Sequence, residues 1–128
     1  MFKARDVMTK DTLTVRANTP VYEAMRVLVA NSVTGVPVLG DNRELLGIVS
    51  EKDMLRLLYE KDLGKAPVED FMSRDVTSFS EDDELVDICE CLINNSFRRV
   101  PILRDGKLVG IISRRDIIKY ILKIRKEA

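Results

Sequence analysis

Apolar and polar positions fall in short blocks along the chain, and the blocks occur twice. In the first half, residues 13–15 form a brief apolar run at strand spacing. Thr19-Pro20 has the form of an N-cap followed by proline at the first helical position. Val21, Ala24, Met25 and Leu28 then recur at helical spacing, and Asn31-Ser32 ends that helix. Residues 36–39 and 45–49 read as two strands of a hairpin turning through Gly40, Asp41, Asn42 and Arg43. Ser50 caps a second helix, with Met54, Leu55, Leu57 and Leu58 on its apolar side. The second half repeats the pattern. Residues 76–79 predict a strand, and Asp83 or its neighbour caps a helix carrying Leu85, Ile88, Cys89 and Leu92. Residues 100–103 and 108–112 predict a hairpin, and Ile117, Ile118, Ile121 and Leu122 are expected to face inward from the last helix. The order β-α-β-β-α, twice, argues an α+β fold in which helices cover small sheets.

The repetition extends to identities. Displaced by 64 residues, Asp6, Met8 and Asp11 fall on Asp70, Met72 and Asp75, and Val36, Pro37 and Leu39 fall on Val100, Pro101 and Leu103. Leu28, Asn31 and Ser32 likewise fall on Leu92, Asn95 and Ser96, with Thr9 against Ser73 as a conservative exchange. One residue is lost in the hairpin turn, where length changes cheaply. Beyond it Leu45, Gly47, Ile48, Ser50 and Asp53 match Leu108, Gly110, Ile111, Ser113 and Asp116. A unit of roughly 60 residues is near the lower limit for an independent core, so two copies are expected to pack together as one module. The expected division is residues 1–64, with a leading segment at 1–8 and a linker at 60–67, and residues 65–128.

Composition narrows the function. The 128 residues are 45% hydrophobic and 33% charged, a globular balance. Lys and Arg number 21, as do Asp and Glu, so no overall field draws the chain to nucleic acid or membrane. Recognition of a charged ligand must come from a local cluster. Histidine is absent, which removes the commonest general base and the commonest zinc ligand. No nucleophile lies beside a candidate base and no phosphate-binding Gly-rich loop occurs, so the chain is expected not to be an enzyme. No catalytic residue, metal site or resident cofactor is expected. The two cysteines, Cys89 and Cys91, are two residues apart on one helix and cannot bridge there. With no membrane-length apolar run and no signal-like start, a cytoplasmic setting is expected.

Two stretches carry chemistry. Gly47 to Asp53 and Gly110 to Asp116 each end a buried strand and open a helix with Ser-x-x-Asp. The serine hydroxyl would stand beside the N–H groups of the first helical turn, which favour an anion. The aspartate would lie one turn along, able to accept both hydroxyls of a ribose diol. The same spacing also describes a capping box, and the two roles are compatible. The other stretch is Arg98-Arg99 before Val100-Pro101, where the first repeat has Thr34-Gly35 before Val36-Pro37. Arg115 adds a third cation, with Lys52 as its counterpart. Arginine suits phosphate through paired hydrogen bonds. The competing reading pairs these arginines with Glu81, Asp82, Asp83 and Glu84.

These residues resemble the CBS (cystathionine-β-synthase) domain family, in tandem, over about residues 6–60 and 70–124. The resemblance rests on Gly-apolar-apolar-Ser-x-x-Asp in both halves and on Val36-Pro37-Val38 and Val100-Pro101-Ile102 upstream. It implies two repeats packed with pseudo-twofold symmetry, with clefts between them, in a module that often dimerises. It implies adenosine-containing ligands: AMP, ADP, ATP or S-adenosylmethionine. Asp53 and Asp116 would then hold ribose hydroxyls, and Ser50 and Ser113 ribose or phosphate oxygens. Arg98, Arg99 and Arg115 would meet phosphates. Backbone around Thr34 to Val36 and Arg98 to Val100 would line the adenine slot, with Thr14 and Ser78 as further candidates. The function so implied is a regulatory module acting on a target protein. The alternatives are a ligand-free dimerisation or docking module, suggested by the apolar helix faces, and a nucleic-acid binder. The last rests on Arg114, Arg115, Lys119, Lys123, Arg125 and Lys126, and zero net charge speaks against it.

Overall fold

A computed structural model describes residues 2–60 and 64–127. The elements are β1 (Val15–Arg16), α1 (Val21–Asn31), β2 (Gly35–Leu39), β3 (Leu45–Ser50), α2 (Glu51–Met54), β4 (Phe79–Ser80), α3 (Leu85–Asn94), β5 (Arg99–Arg104), β6 (Lys107–Ser113) and α4 (Arg114–Glu127). Each set of three strands forms its own sheet, in the orders β1-β2-β3 and β4-β5-β6. In each, the short first strand runs parallel to the second, and the second and third form an antiparallel hairpin. The fold is α+β, with the element order read from the sequence.

Two compact units result, Leu13–Val76 and Met1–Thr12 with Thr77–Ala128. Val36, Val38 and Val49 of the first sheet are buried with Val21, Ala24 and Leu28 of α1. Val100, Ile102 and Ile112 of the second are buried with Leu85, Ile88 and Leu92 of α3. The alternate strand residues supply these cores because successive side chains point to opposite faces. Fully burying each such side chain is worth about 1.5–3 kcal/mol.

The packed units are offset from the sequence repeats. The leading segment lies on the second repeat and not on the first: Ala4 N–H donates to Asp83 O at 2.9 Å, and Thr9 pairs with Ile111. Residues 66–73 run in the same way over the first repeat, with Val21 N–H donating to Ala66 O at 2.8 Å and Ser73 pairing with Ile48. Each hairpin thus gains an edge partner. Residues 61–63 of the expected linker lie outside the described residues.

Local departures from expectation have local causes. β1 and β4 are two-residue strands placed later than expected, because only Val15, Arg16, Phe79 and Ser80 find ladder partners. Thr19 does not cap α1; its hydroxyl accepts Arg16 N–H at 3.1 Å, closing the preceding turn, and Pro20 occupies the N-cap position. Between the alternatives of Asp83 and its neighbour, Glu84 takes the N-cap position of α3, while Asp83 accepts Ser80 N–H at 2.7 Å. α2 has four residues and continues as a 3-10 helix, Leu55–Leu58. On it Met54 and Leu57 are buried, while Leu55 and Leu58 are 69% and 75% exposed. On α4 only Ile117 of the four expected residues is buried; Ile118, Ile121 and Leu122 are 57%, 44% and 65% exposed.

Candidate functional site

Each Ser-x-x-Asp stretch folds into a reciprocal box within one unit. Ser50 N–H and Ser50 Oγ both donate to Asp53 Oδ2, at 2.8 and 3.0 Å. Ser113 N–H and Oγ donate to Asp116 Oδ2 at 2.9 and 3.0 Å, and Asp116 N–H donates to Ser113 Oγ at 3.1 Å. The capping reading is therefore correct for both. It fixes each carboxylate while leaving the other oxygen, Oδ1, outside the box.

The first N–H of each helix is also engaged. Glu51 N–H donates to Thr34 O and Arg114 N–H to Arg98 O, both at 2.9 Å. These bonds remove the first N–H of each helix from the groups expected to be free for an anion, and the serine takes the third. In the first repeat the helix behind the box is also only four residues long, so its dipole is small. Charge for an anion must come from side chains.

Strand register sets what stands beside each box. Arg99 is directly opposite Ser113, and Gly35 directly opposite Ser50. Opposed residues of an antiparallel pair project from the same face. The second repeat thus sets a guanidinium beside its serine, where the first has no side chain. Arg98 and Arg115 flank the same strand end and helix start; Lys52 holds the latter place in the first repeat. Among the described residues none of Arg98, Arg99, Arg115 or Lys52 makes an ion pair.

Of the acidic run expected as their alternative partner, Glu81, Asp82 and Glu84 are occupied by other cations, and Asp83 accepts Ser80 N–H. Arg104 donates to Glu81 through two nitrogens, one at 2.9 Å, and Arg5 pairs with Asp82. Lys3 Nζ donates to Glu84 at 2.8 Å. The Arg104 guanidinium holds the Glu81 carboxyl below its ordinary range, and the Lys3 hydrogen bond does the same for Glu84. Arg114, counted among the basic residues of α4, is drawn back to cap α3 through Leu92 O and Asn95 O at 3.0 and 2.9 Å.

The remaining expected residues are placed as follows. Val36 and Val100 have side chains buried in the two cores, so only their backbone can meet a ligand. Thr14 and Ser78 immediately precede β1 and β4, across the central strand from the boxes, and neither side chain is hydrogen-bonded among the described residues. Thr9 was not singled out by sequence, yet its hydroxyl donates to Asp116 Oδ1 at 3.2 Å. The signal was present in the pairing of Thr9 with Ser73, a hydroxyl kept at equivalent places in both repeats. Among the described residues no group of metal-ligating side chains is assembled, and no helix is long and apolar enough to cross a membrane.

A duplicated α+β unit, closed at each strand–helix junction by a Ser-x-x-Asp box, defines a class of small tandem modules. The chain belongs to the CBS domain family, whose model matches residues 4–60 and 68–123. It is 31% identical over 117 residues to the protein MJ1225 of Methanocaldococcus jannaschii, covering 91% of this chain and 42% of that protein. It is 30% identical over 123 residues to a 17.7 kDa protein of Acidianus ambivalens, covering 95% of this chain and 74% of that one. The chain thus spans less than half of the first relative's length. Among solved structures, CBSX2 of Arabidopsis thaliana is similar with a TM-score of 0.89 at 34% identity, over 99% of both chains. CBSX2 in complex with AMP gives a TM-score of 0.86 at 34% identity, over 98% of this chain and 99% of that one.

Proposed function

We propose that the chain is a regulatory module that binds an adenine nucleotide (AMP, ADP or ATP). Asp53 and Asp116 receive ribose hydroxyls, and Ser50 and Ser113 border the sugar. Arg98, Arg99 and Arg115 meet phosphate, and backbone at Thr34 to Val36 and Arg98 to Val100 lines the adenine. The observation that carries this reading is the second box: a carboxylate with acceptor capacity left on Oδ1, beside arginines that make no ion pair among the described residues, while Glu81, Asp82 and Glu84 are paired with other cations. The complex of CBSX2 with AMP supports the ligand class. Binding favours one conformation, and a target protein in the cytoplasm senses it. The nucleotide is read and not turned over.

Calorimetric titration with AMP, ADP, ATP and S-adenosylmethionine tests the reading. An adenine nucleotide binds with submillimolar Kd, and Asp116→Ala weakens it by about tenfold or more, the cost of charge-assisted hydrogen bonds. If no adenosine compound binds below millimolar concentration, the reading is wrong.

Self-association is a second reading, favoured by one observation. Exposed apolar residues recur at matching repeat positions: Val29 with Ile93, Leu55 with Ile118, Leu58 with Ile121, Tyr59 with Leu122. A surface kept apolar twice suits an isologous homodimer. Sedimentation at micromolar concentration shows a dimer on this reading, and a monomer refutes it.

A further inference from the structure

The two boxes differ in what reaches the outer carboxylate oxygen. Thr9 is held beside Asp116 by its backbone: Thr9 N–H donates to Ile111 O at 2.9 Å, and Ile111 N–H to Thr9 O at 3.0 Å. Ser73 is held beside the other hairpin in the same way, by bonds of 2.8 and 2.9 Å with Ile48. Thr9 Oγ1 donates to Asp116 Oδ1 at 3.2 Å. Among the described residues no donor reaches Asp53 Oδ1, and the Ser73 hydroxyl makes no hydrogen bond.

Acceptor capacity turns this into selectivity. A carboxylate offers about four lone-pair positions, two on each oxygen. In both boxes Oδ2 spends its two on the serine N–H and Oγ–H. Asp53 Oδ1 keeps both of its own, while Asp116 Oδ1 has given one to Thr9. Asp116 does not need Thr9 for orientation, since the two bonds from Ser113 already fix it.

Resting on the ribose-binding reading above, we infer that Thr9 is a specificity-determining residue: the Asp116 box reads one ribose hydroxyl, where the Asp53 box reads two. A sugar lacking one hydroxyl leaves a two-hydroxyl site with an unmet acceptor but costs a one-hydroxyl site little. The second box therefore tolerates a deoxyribose that the first rejects.

The test uses the full chain carrying Asp53→Asn, so that binding reports Asp116. Kd is measured for AMP and for its 2′-deoxy and 3′-deoxy analogues. At least one analogue binds within about threefold of AMP. Adding Thr9→Val removes the hydroxyl and keeps the shape, and both analogues then fall about tenfold or more behind AMP. Thr9→Ser restores the original ratio; Thr9→Ala serves if the valine disturbs folding by circular dichroism. Analogue-to-AMP ratios unmoved by Thr9→Val and Thr9→Ala, or a tenfold loss for both analogues while Thr9 is present, overturn the role of Thr9 and leave nucleotide binding standing. Absence of AMP binding to the unsubstituted chain overturns both.

Discussion

Gly47 lies so close to Ser73 that a Cβ added to the glycine would stand 2.5 Å from the Ser73 carbonyl oxygen. The nearest contact is with backbone, and that backbone is itself paired to Ile48, so it cannot yield without breaking the edge pairing. A Cβ on either glycine would also meet a methionine sulfur, Met72 Sδ at 2.7 Å from Gly47 and Met8 Sδ at 2.8 Å from Gly110, but on Gly110 the nearest backbone atom, Thr9 O, would stand farther off, at 3.0 Å. Gly47→Ala therefore lowers stability by about 1–3 kcal/mol, the usual cost of overpacking. Gly110→Ala lowers it less. Thermal unfolding of the two variants, compared with the parent, checks the order.

Both serines cap helices by the same pair of bonds, but the helices differ. α4 is a helix of 14 residues behind Ser113, whereas α2 behind Ser50 has four. Ser113→Ala costs about 0.5–2 kcal/mol, typical of a lost N-cap. Ser50→Ala falls at the lower end of that range, because a four-residue helix has less to lose. Chemical denaturation midpoints at unchanged m-value separate the two.

Arg99 stands opposite Ser113 with no ion pair among the described residues, so its removal touches ligand charge more than fold. On the nucleotide reading, Arg99→Ala weakens AMP binding by about tenfold and leaves adenosine binding nearly unchanged. The difference shrinks at high salt, since exposed charges are screened. Equal losses for AMP and adenosine would place Arg99 at the nucleoside instead.

Glu81 provides a pH test. Its carboxyl is held low by the hydrogen bond from Arg104. A carboxyl lowered on folding contributes stability above its unfolded value and loses that contribution as pH falls through the folded value. The melting temperature therefore drops as pH moves down from the ordinary glutamate range. Glu81→Gln flattens that dependence and leaves neutral-pH ligand binding intact, because Glu81 lies outside the box. A melting curve with the same acid slope in both proteins would show that the Arg104 pair does not contribute.

Much of the fold was legible because its signals are local. Val21, Ala24 and Leu28 at helical spacing, and the paired β-strands around Gly40 to Arg43, depend only on near neighbours. The Ser-x-x-Asp boxes were legible for the same reason: donor and acceptor are three residues apart. What failed was either competition between local partners or exposure. Thr19 had the form of a helix cap but bonds to Arg16 N–H, equally near in sequence. Leu55, Leu58, Ile118 and Ile121 carry the same apolar character as Met54 and Ile117, and residue type alone does not say which side of a helix meets the core.

By itself the sequence determined the duplication, the α+β element order and the two boxes, since periodicity, turn chemistry and capping act over a few residues. Only the tertiary structure decided that the leading segment crosses onto the second repeat, that Arg104, Arg5 and Lys3 take Glu81, Asp82 and Glu84, and that Thr9 reaches Asp116. Those partners lie from 23 to 107 residues apart. Backbone pairing and close approach to a glycine choose them, and neither leaves a periodic trace along the chain.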